Sequence, residues 1–333
     1  MRRNNPFKKS EGQRIKITKA QEKQIKKLYQ DVADEIEERA KYYAGRTNAG
    51  SMLRLVQLND LKSSIKDSMD NVNSSSQSII KSNMMKMSQV VFKDNVQLLK
   101  AMGFIEVDTR YAYVPRDIVN QLVSGKLYKG KWSLSKSIWN NSAVVNHDLD
   151  YIIAKGIAEN KSTYEIAKDL EKYVNPSRAK PWDWGKVYPG TKKVIDYNAQ
   201  RLARTMVSHA YEESFVRSTK NNPFIEAYQW LSSGGDRMCE VCAERDGKIF
   251  AKDELPFDHP NGMCTFMIVM EKSYEQIGQD LANWVNGEGD PKLNEQIDGF
   301  AEDLYLRGRV NTNINDLNRA QFVNDSIKYK AKK

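Results

Sequence analysis

Between residues 18 and 100, apolar side chains return every three or four positions. This period, more than any other feature, limits the chain to a mainly helical fold. Ile25, Leu28, Val32 and Ile36 form a first stripe, with Lys and Glu between them. Leu58, Leu61, Ile65, Met69 and Val72 form a second, and Ile80, Met84, Met87 and Val91 a third. Thr18 and Gln21 have the spacing of a capping box, which predicts a helix start at residue 18. The polar run from Gly45 to Gly50 predicts one break and Asn73–Ser78 another. Stripes this narrow need a partner surface, in the same chain or another. Met84, Met85 and Met87 fit either ordinary helix core or an adaptable binding face, and helical spacing alone accounts for the core reading.

Farther along, residues 101–130 read as irregular and partly extended, through Phe104, Ile105 and Val107 to Tyr111, Tyr113, Val114 and Pro115. Helices resume after Trp132, over Ser133–Asn140 and Ala143–Gly156, and Ser162 with Glu165 again has capping-box spacing. Residues 174–192 form a loop rich in Pro, Gly and Trp. Its Trp182 and Trp184 suit either a partner contact or an anchor to their own domain. A long helix spans 194–220 and stops at Pro223. The period then changes to two: Ile225–Leu231 and Cys264–Met270 read as strands, and the segment from Tyr274 is helical in pieces with a turn at Gly287–Pro291.

The expected fold class is mainly α with a small α+β C-terminal domain. A long helical N-terminal arm leads to a helical middle, and short antiparallel strands surround a Cys/His knuckle. A length of 333 residues suits about two domains. The expected blocks are a basic disordered tail (1–17), a helical arm (18–100), an irregular connector (101–130), a helical region (131–222), the strand-rich knuckle (223–272), a helical C-terminal region (273–324) and a second basic tail (325–333).

Charge is concentrated at the ends. The net charge is +9, of which residues 1–20 carry +6 and residues 325–333 carry +3, so the body between is neutral. Arg2, Arg3, Lys8, Lys9 and Arg14 at one end, and Lys328, Lys330, Lys332 and Lys333 at the other, suit sequence-independent contact with DNA phosphates. They equally suit solubilising termini. The neutral body shows no recognition-helix pattern, which argues against a sequence-specific DNA-binding protein. No stretch approaches the roughly 18 apolar residues of a membrane span, and no apolar run follows the basic start, so no secretory signal is expected.

All three cysteines lie within 26 residues, which fits a metal site better than a disulfide framework. The order is Cys239-x2-Cys242-x16-His259-x4-Cys264. Two thiolates on one tight turn, a third thiolate and an imidazole make a Cys₃His set, a known structural zinc arrangement with no position left for water. Metal-free packing of the thiols, or a Cys/His nucleophile pair with His259 as base, remain as alternatives. No thioredoxin-like unit surrounds the CxxC, and no deaminase His-x-Glu precedes it. His209, beside Ser208 and Glu212, reads as a satisfied surface or interface residue, and His147 has no assigned role.

These residues resemble a known pattern. Tyr228-Gln229-Trp230, Asp236 to Cys242, Asp246-Gly247 and His259-Pro260-Asn261 to Cys264 resemble the C-terminal signature of the phage head morphogenesis family. Its members are minor head proteins of tailed phages, similar to the Mu protein F group. Ser133-Leu134-Ser135 with Ile138-Trp139, Gly156-Ile157-Ala158, Ser162 with Glu165-Ile166-Ala167, and Ala203-Arg204-Thr205 are similar to the family upstream. The resemblance covers roughly residues 130–270, and it departs at Gly262, where the family carries a cysteine. It implies a non-catalytic protein of the virion, assembled in the host cytoplasm and placed in the head interior near the portal. Expected partners are the portal protein, inner capsid or scaffold proteins and packaged DNA. Expected roles are head assembly, DNA packaging or genome ejection. The competing expectation is a phage-delivered enzyme, toxin-like or nuclease-like, that uses the Cys/His cluster.

Overall fold

The computed structural model of the chain describes residues 5–44, 51–104, 114–128, 133–159, 161–175, 195–234, 238–260 and 262–308. The fold is mainly α with one small antiparallel sheet. Two helices dominate the N-terminal part, α1 (Lys8–Ala44) and α2 (Ser51–Met102). Then come α3 (Val114–Ser124), a 3₁₀ turn at Lys126–Tyr128, α4 (Leu134–Ala158), α5 (Thr163–Val174) and α6 (Ile195–Thr219). The C-terminal part runs β1 (Ala227–Leu231), α7 (Glu240–Arg245), β2 (Ile249–Ala251), β3 (Thr265–Val269), α8 (Tyr274–Val285) and α9 (Pro291–Gly308).

The chain divides into two compact units, each built from separated stretches rather than from consecutive blocks. One unit comprises residues 17–83 and 122–206. Within it α1 and α2 run antiparallel: Asn83 donates to Gln21, Ser68 and Ser64 donate to Glu35, and Tyr43 donates to Asp60. Ile25, Val32 and Ile36 on α1, and Leu61, Ile65, Met69 and Val72 on α2, are buried, as their spacing predicts. Ser162 caps α5 through a complete capping box with Glu165. A Cβ at Gly156 of α4 would overlap the Ile166 side chain of α5, so the glycine permits that close approach.

The other unit comprises residues 1–16, 84–121 and 207–333. Its sheet has the order β2-β1-β3, with both pairings antiparallel and Trp230 opposite Phe266. Alternation along β1 and β3 buries Tyr228, Trp230, Phe266 and Ile268. Tyr211 and Phe215 of α6 and Phe7 pack on that face, with Phe7 edge-on to Phe215 at 4.8 Å. Met84 and Met87 are fully buried, which supports their reading as core. On α8, Ser273 and Gln276 form a second capping box, and Ile277 and Leu281 face inward.

Four expectations are corrected. Residues 8–17 are not a disordered tail: α1 begins at Lys8, anchored by Phe7 in the aromatic core and by Ser10 donating to Asp94. Thr18 and Gln21 are therefore inside a helix and buried, and Gln21 spends its carbonyl on Asn83 rather than on a cap. The polar stretch 73–78 does not break α2, because its side chains find partners: Asn73 donates to Ser142, and Ser74 back-bonds to the Asp70 carbonyl. The 101–130 connector contains α3, where Pro115 occupies the first turn and Ile118 and Leu122 are buried one helical turn apart. Trp182, Trp184, Arg2, Arg3, Lys328, Lys330, Lys332 and Lys333 lie outside the described residues.

Candidate metal centre

Cys239 is the N-cap of the short helix α7, and its Sγ accepts the Cys242 amide at 3.4 Å. One helical turn therefore places both sulfurs at the same end of α7. The Asp246-Gly247 turn that follows is tied to β1. Asp246 accepts the Ser232 amide at 2.7 Å, the Gly247 amide donates to the Trp230 carbonyl, and Gly247 has the positive φ of 77° that favours glycine.

The second half of the site is the turn from Asp258 to Cys264, leading into β3. The buried Asp258 carboxylate accepts the His259 amide at 2.8 Å on one oxygen and the Cys264 amide at 2.9 Å on the other. Helix α6 grips this turn. Ser208 donates to the Gly262 carbonyl, His209 Nε2 meets the Asp258 carbonyl at 3.2 Å, and the Asp258 amide donates to Glu212. A carbonyl only accepts, so His209 carries its proton on Nε2. From α1, Arg14 donates through Nη1 to the Cys264 carbonyl at 2.8 Å and through Nη2 to the Met263 carbonyl at 2.7 Å, and lies over the Tyr211 ring.

The donors come together at Cys242. Cys239, Cys242 and His259 form one group whose ligand atoms lie within 4.8 Å of one another, and Cys242, Asp258 and Cys264 form another. The Cys242 and Cys264 sulfurs are 3.4 Å apart, too far for a bond and near the roughly 3.8 Å of two thiolates on one tetrahedral zinc. His259 Nδ1 lies 3.0 Å from the Pro260 carbonyl, so that nitrogen holds the proton and Nε2 keeps its lone pair for a ligand. The cluster can therefore hold a metal ion. Among the described residues, no group brings all four Cys/His donors within that distance at once, and Asp258 is a fifth donor beside them.

Electrostatics divide the thiols. The Cys242 amide holds the exposed Cys239 below the usual thiol value. Burial pushes Cys242 far up, with Cys264 adding to the effect. Burial also raises Cys264, helped by the Asp258 charge and opposed by hydrogen bonding with Cys242 and by the Ser233 amide. Those last two groups favour a thiolate, the form a metal binds. For His259, burial opposes protonation, but the Pro260 carbonyl and the charges of Asp258 and Cys239 outweigh it and lift the ring above its usual value. Burial raises Glu212 well above a normal carboxyl, and the Asp258 charge adds to this.

Sequence reasoning placed Cys239, Cys242, His259 and Cys264 in this site but missed the groups that shape it. Arg14 is not a phosphate contact: it is 2% exposed and bonded to the turn. His209 is not a surface residue but is buried against Phe257 at 5% exposure. His147 is exposed beside Asp148 and joins nothing here. Asp258 had one visible signal, a carboxylate directly before His259. No protein-family model matches the chain, and no match was found among curated proteins or among solved structures.

Proposed function

We propose that this chain is a non-catalytic minor head protein of a tailed bacteriophage. It acts in the head interior near the portal, in head assembly, DNA packaging or genome ejection, and its Cys/His turn is a structural zinc knuckle. One observation carries the reading. The residues of the C-terminal signature converge on one small sheet: Trp230 on β1, Cys239 and Cys242 at α7, the Asp246-Gly247 turn, and His259 and Cys264 before β3. A signature scattered over 37 residues thus serves one local structure, with a donor set suited to zinc.

Cys239, Cys242, Cys264 and His259 would hold the ion. When bound, it would supply cross-linking between α7 and the turn before β3, and the four protein donors would leave no position for water. Partners on this reading are the portal, inner capsid or scaffold proteins, and packaged DNA. No helix among the described residues is long and apolar enough to cross a membrane. Lys8 and Lys9, exposed on the first turn of α1, offer phosphate contacts.

Elemental analysis of the purified full chain tests the knuckle, with about one zinc per chain expected. Cross-linking in assembled heads tests the setting, with links from α1 and α2 to the portal expected. Turnover of DNA or nucleotides by the zinc-loaded protein would favour the delivered-enzyme reading instead.

A further inference from the structure

The Asp258–Cys264 turn carries two of the proposed zinc donors, and no strand pairing among its described residues sets its shape. Arg14 and α6 hold its backbone from outside, and one side chain within it orders both donors. The Asp258 carboxylate is fully buried and bonds the backbone amides of His259 and Cys264, one on each oxygen. Both donors are therefore held by the same group. Gly262 lies directly over that group. A Cβ at 262 would fall inside van der Waals contact of the Asp258 carboxylate carbon and both its oxygens. Gly262 is not among the glycines with positive φ, so backbone freedom is not the reason for glycine here. Space is the reason.

We propose that Asp258 and Gly262 act as a coupled pair. Asp258 is the positioning residue that sets His259 and Cys264 for the metal, and position 262 must lack a side chain because the carboxylate fills that volume. The inference rests on the zinc-knuckle reading. It also accounts for the departure at Gly262, since a cysteine there has no room beside Asp258.

The test is a mutant cycle on the full chain: Asp258→Ala, Gly262→Ala and both together, with Asp258→Asn as the near-isosteric control. Zinc affinity is read by competition with a chromogenic chelator, and the thermal midpoint is read separately in excess chelator. Asp258→Ala and Gly262→Ala should each weaken zinc binding about 10-fold or more, as loss of a supporting group does. Because both changes break the same arrangement, the double variant should bind no worse than the weaker single. Asp258→Asn should also lose affinity, because its amide nitrogen cannot accept from a backbone N–H. Additive losses, or wild-type affinity in Asp258→Asn, would overturn the pairing. Should the wild type take no zinc, the knuckle reading fails by itself. The pair is then judged on the chelated midpoints, where Gly262→Ala should lower the wild type but not Asp258→Ala. Equal lowering in both would overturn it.

Discussion

Arg14 illustrates how one side chain changes meaning with its surroundings. In a basic terminus it reads as a phosphate contact, but here both Nη groups are spent on the carbonyls of Met263 and Cys264. Arg14→Ala should cost about 3 kcal/mol, since charged hydrogen bonds are lost and two acceptors are left unpaired. Urea unfolding reads this directly. Arg14→Lys should recover only part of it, because an ammonium lacks the planar fork. Neither variant should change the salt dependence of DNA binding, whereas Lys8→Glu with Lys9→Glu should reduce its slope. His209 carries a pH signature. Burial holds its folded pKa below the ordinary 6.5, against the opposing effect of its bond to the Asp258 carbonyl. As pH falls through about 6.5, the unfolded ring takes up a proton that the folded ring refuses. At this group the unfolded state then binds more protons, so in excess chelator His209 contributes a loss of stability from pH 7 into the acidic range, while the raised His259 and Glu212 act in the opposite direction. His209→Gln should therefore keep more of its pH 7 stability on acidification than the wild type does, and an identical pH dependence would show that His209 contributes none.

At the level of elements, α2 is the instructive case. Its polar centre reads as a break because Asn and Ser compete with the helix for backbone groups. The helix continues because Asn73 reaches Ser142 of α4 and Val72 and Ile80 are buried on either side. Ser74 is exposed near the start of that stretch, so Ser74→Pro tests the backbone effect. In a continuous helix it should cost about 3 kcal/mol or more, while in a true break it would be nearly neutral. Chemical denaturation decides between them. The capping boxes of α5 and α8 behave as local chemistry predicts: Ser or Thr with Glu or Gln three residues on satisfies two end amides. The Thr18–Gln21 pair shares that pattern yet caps nothing, because Phe7 and Arg14 already hold the preceding turns in place.

Across the whole molecule, the N-terminal residues and the C-terminal sheet belong to one compact unit, although some 200 residues of sequence separate them. Asn5 donates to the Phe266 carbonyl, Phe7 joins the aromatic core and Arg14 holds the turn before β3. Deleting residues 1–16 should therefore lower the thermal midpoint and weaken metal retention together. A deletion variant that retains both would show that these contacts contribute little. For the same reason, charge-reversal of Lys8 and Lys9 tests the proposed DNA contact more cleanly than truncation does.

Helical periodicity, the change to period two near residue 225 and the Cys/His spacing are local patterns, and they were enough to determine a mainly helical chain, two of the three strands among the described residues and the clustering of the Cys/His side chains. β2 escaped because three residues are too short to show a period. α3 escaped because the extended-looking residues before Pro115 masked its start. Tertiary structure decided that the basic N-terminus begins a helix, that α2 is unbroken, and that Asp258, Gly262, Arg14 and α6 build the turn carrying His259 and Cys264. The physical reason is the same in each case. A side chain's intrinsic preference is readable along the chain, but the partner that satisfies a buried charge or fills the space over a glycine comes from wherever the fold places it.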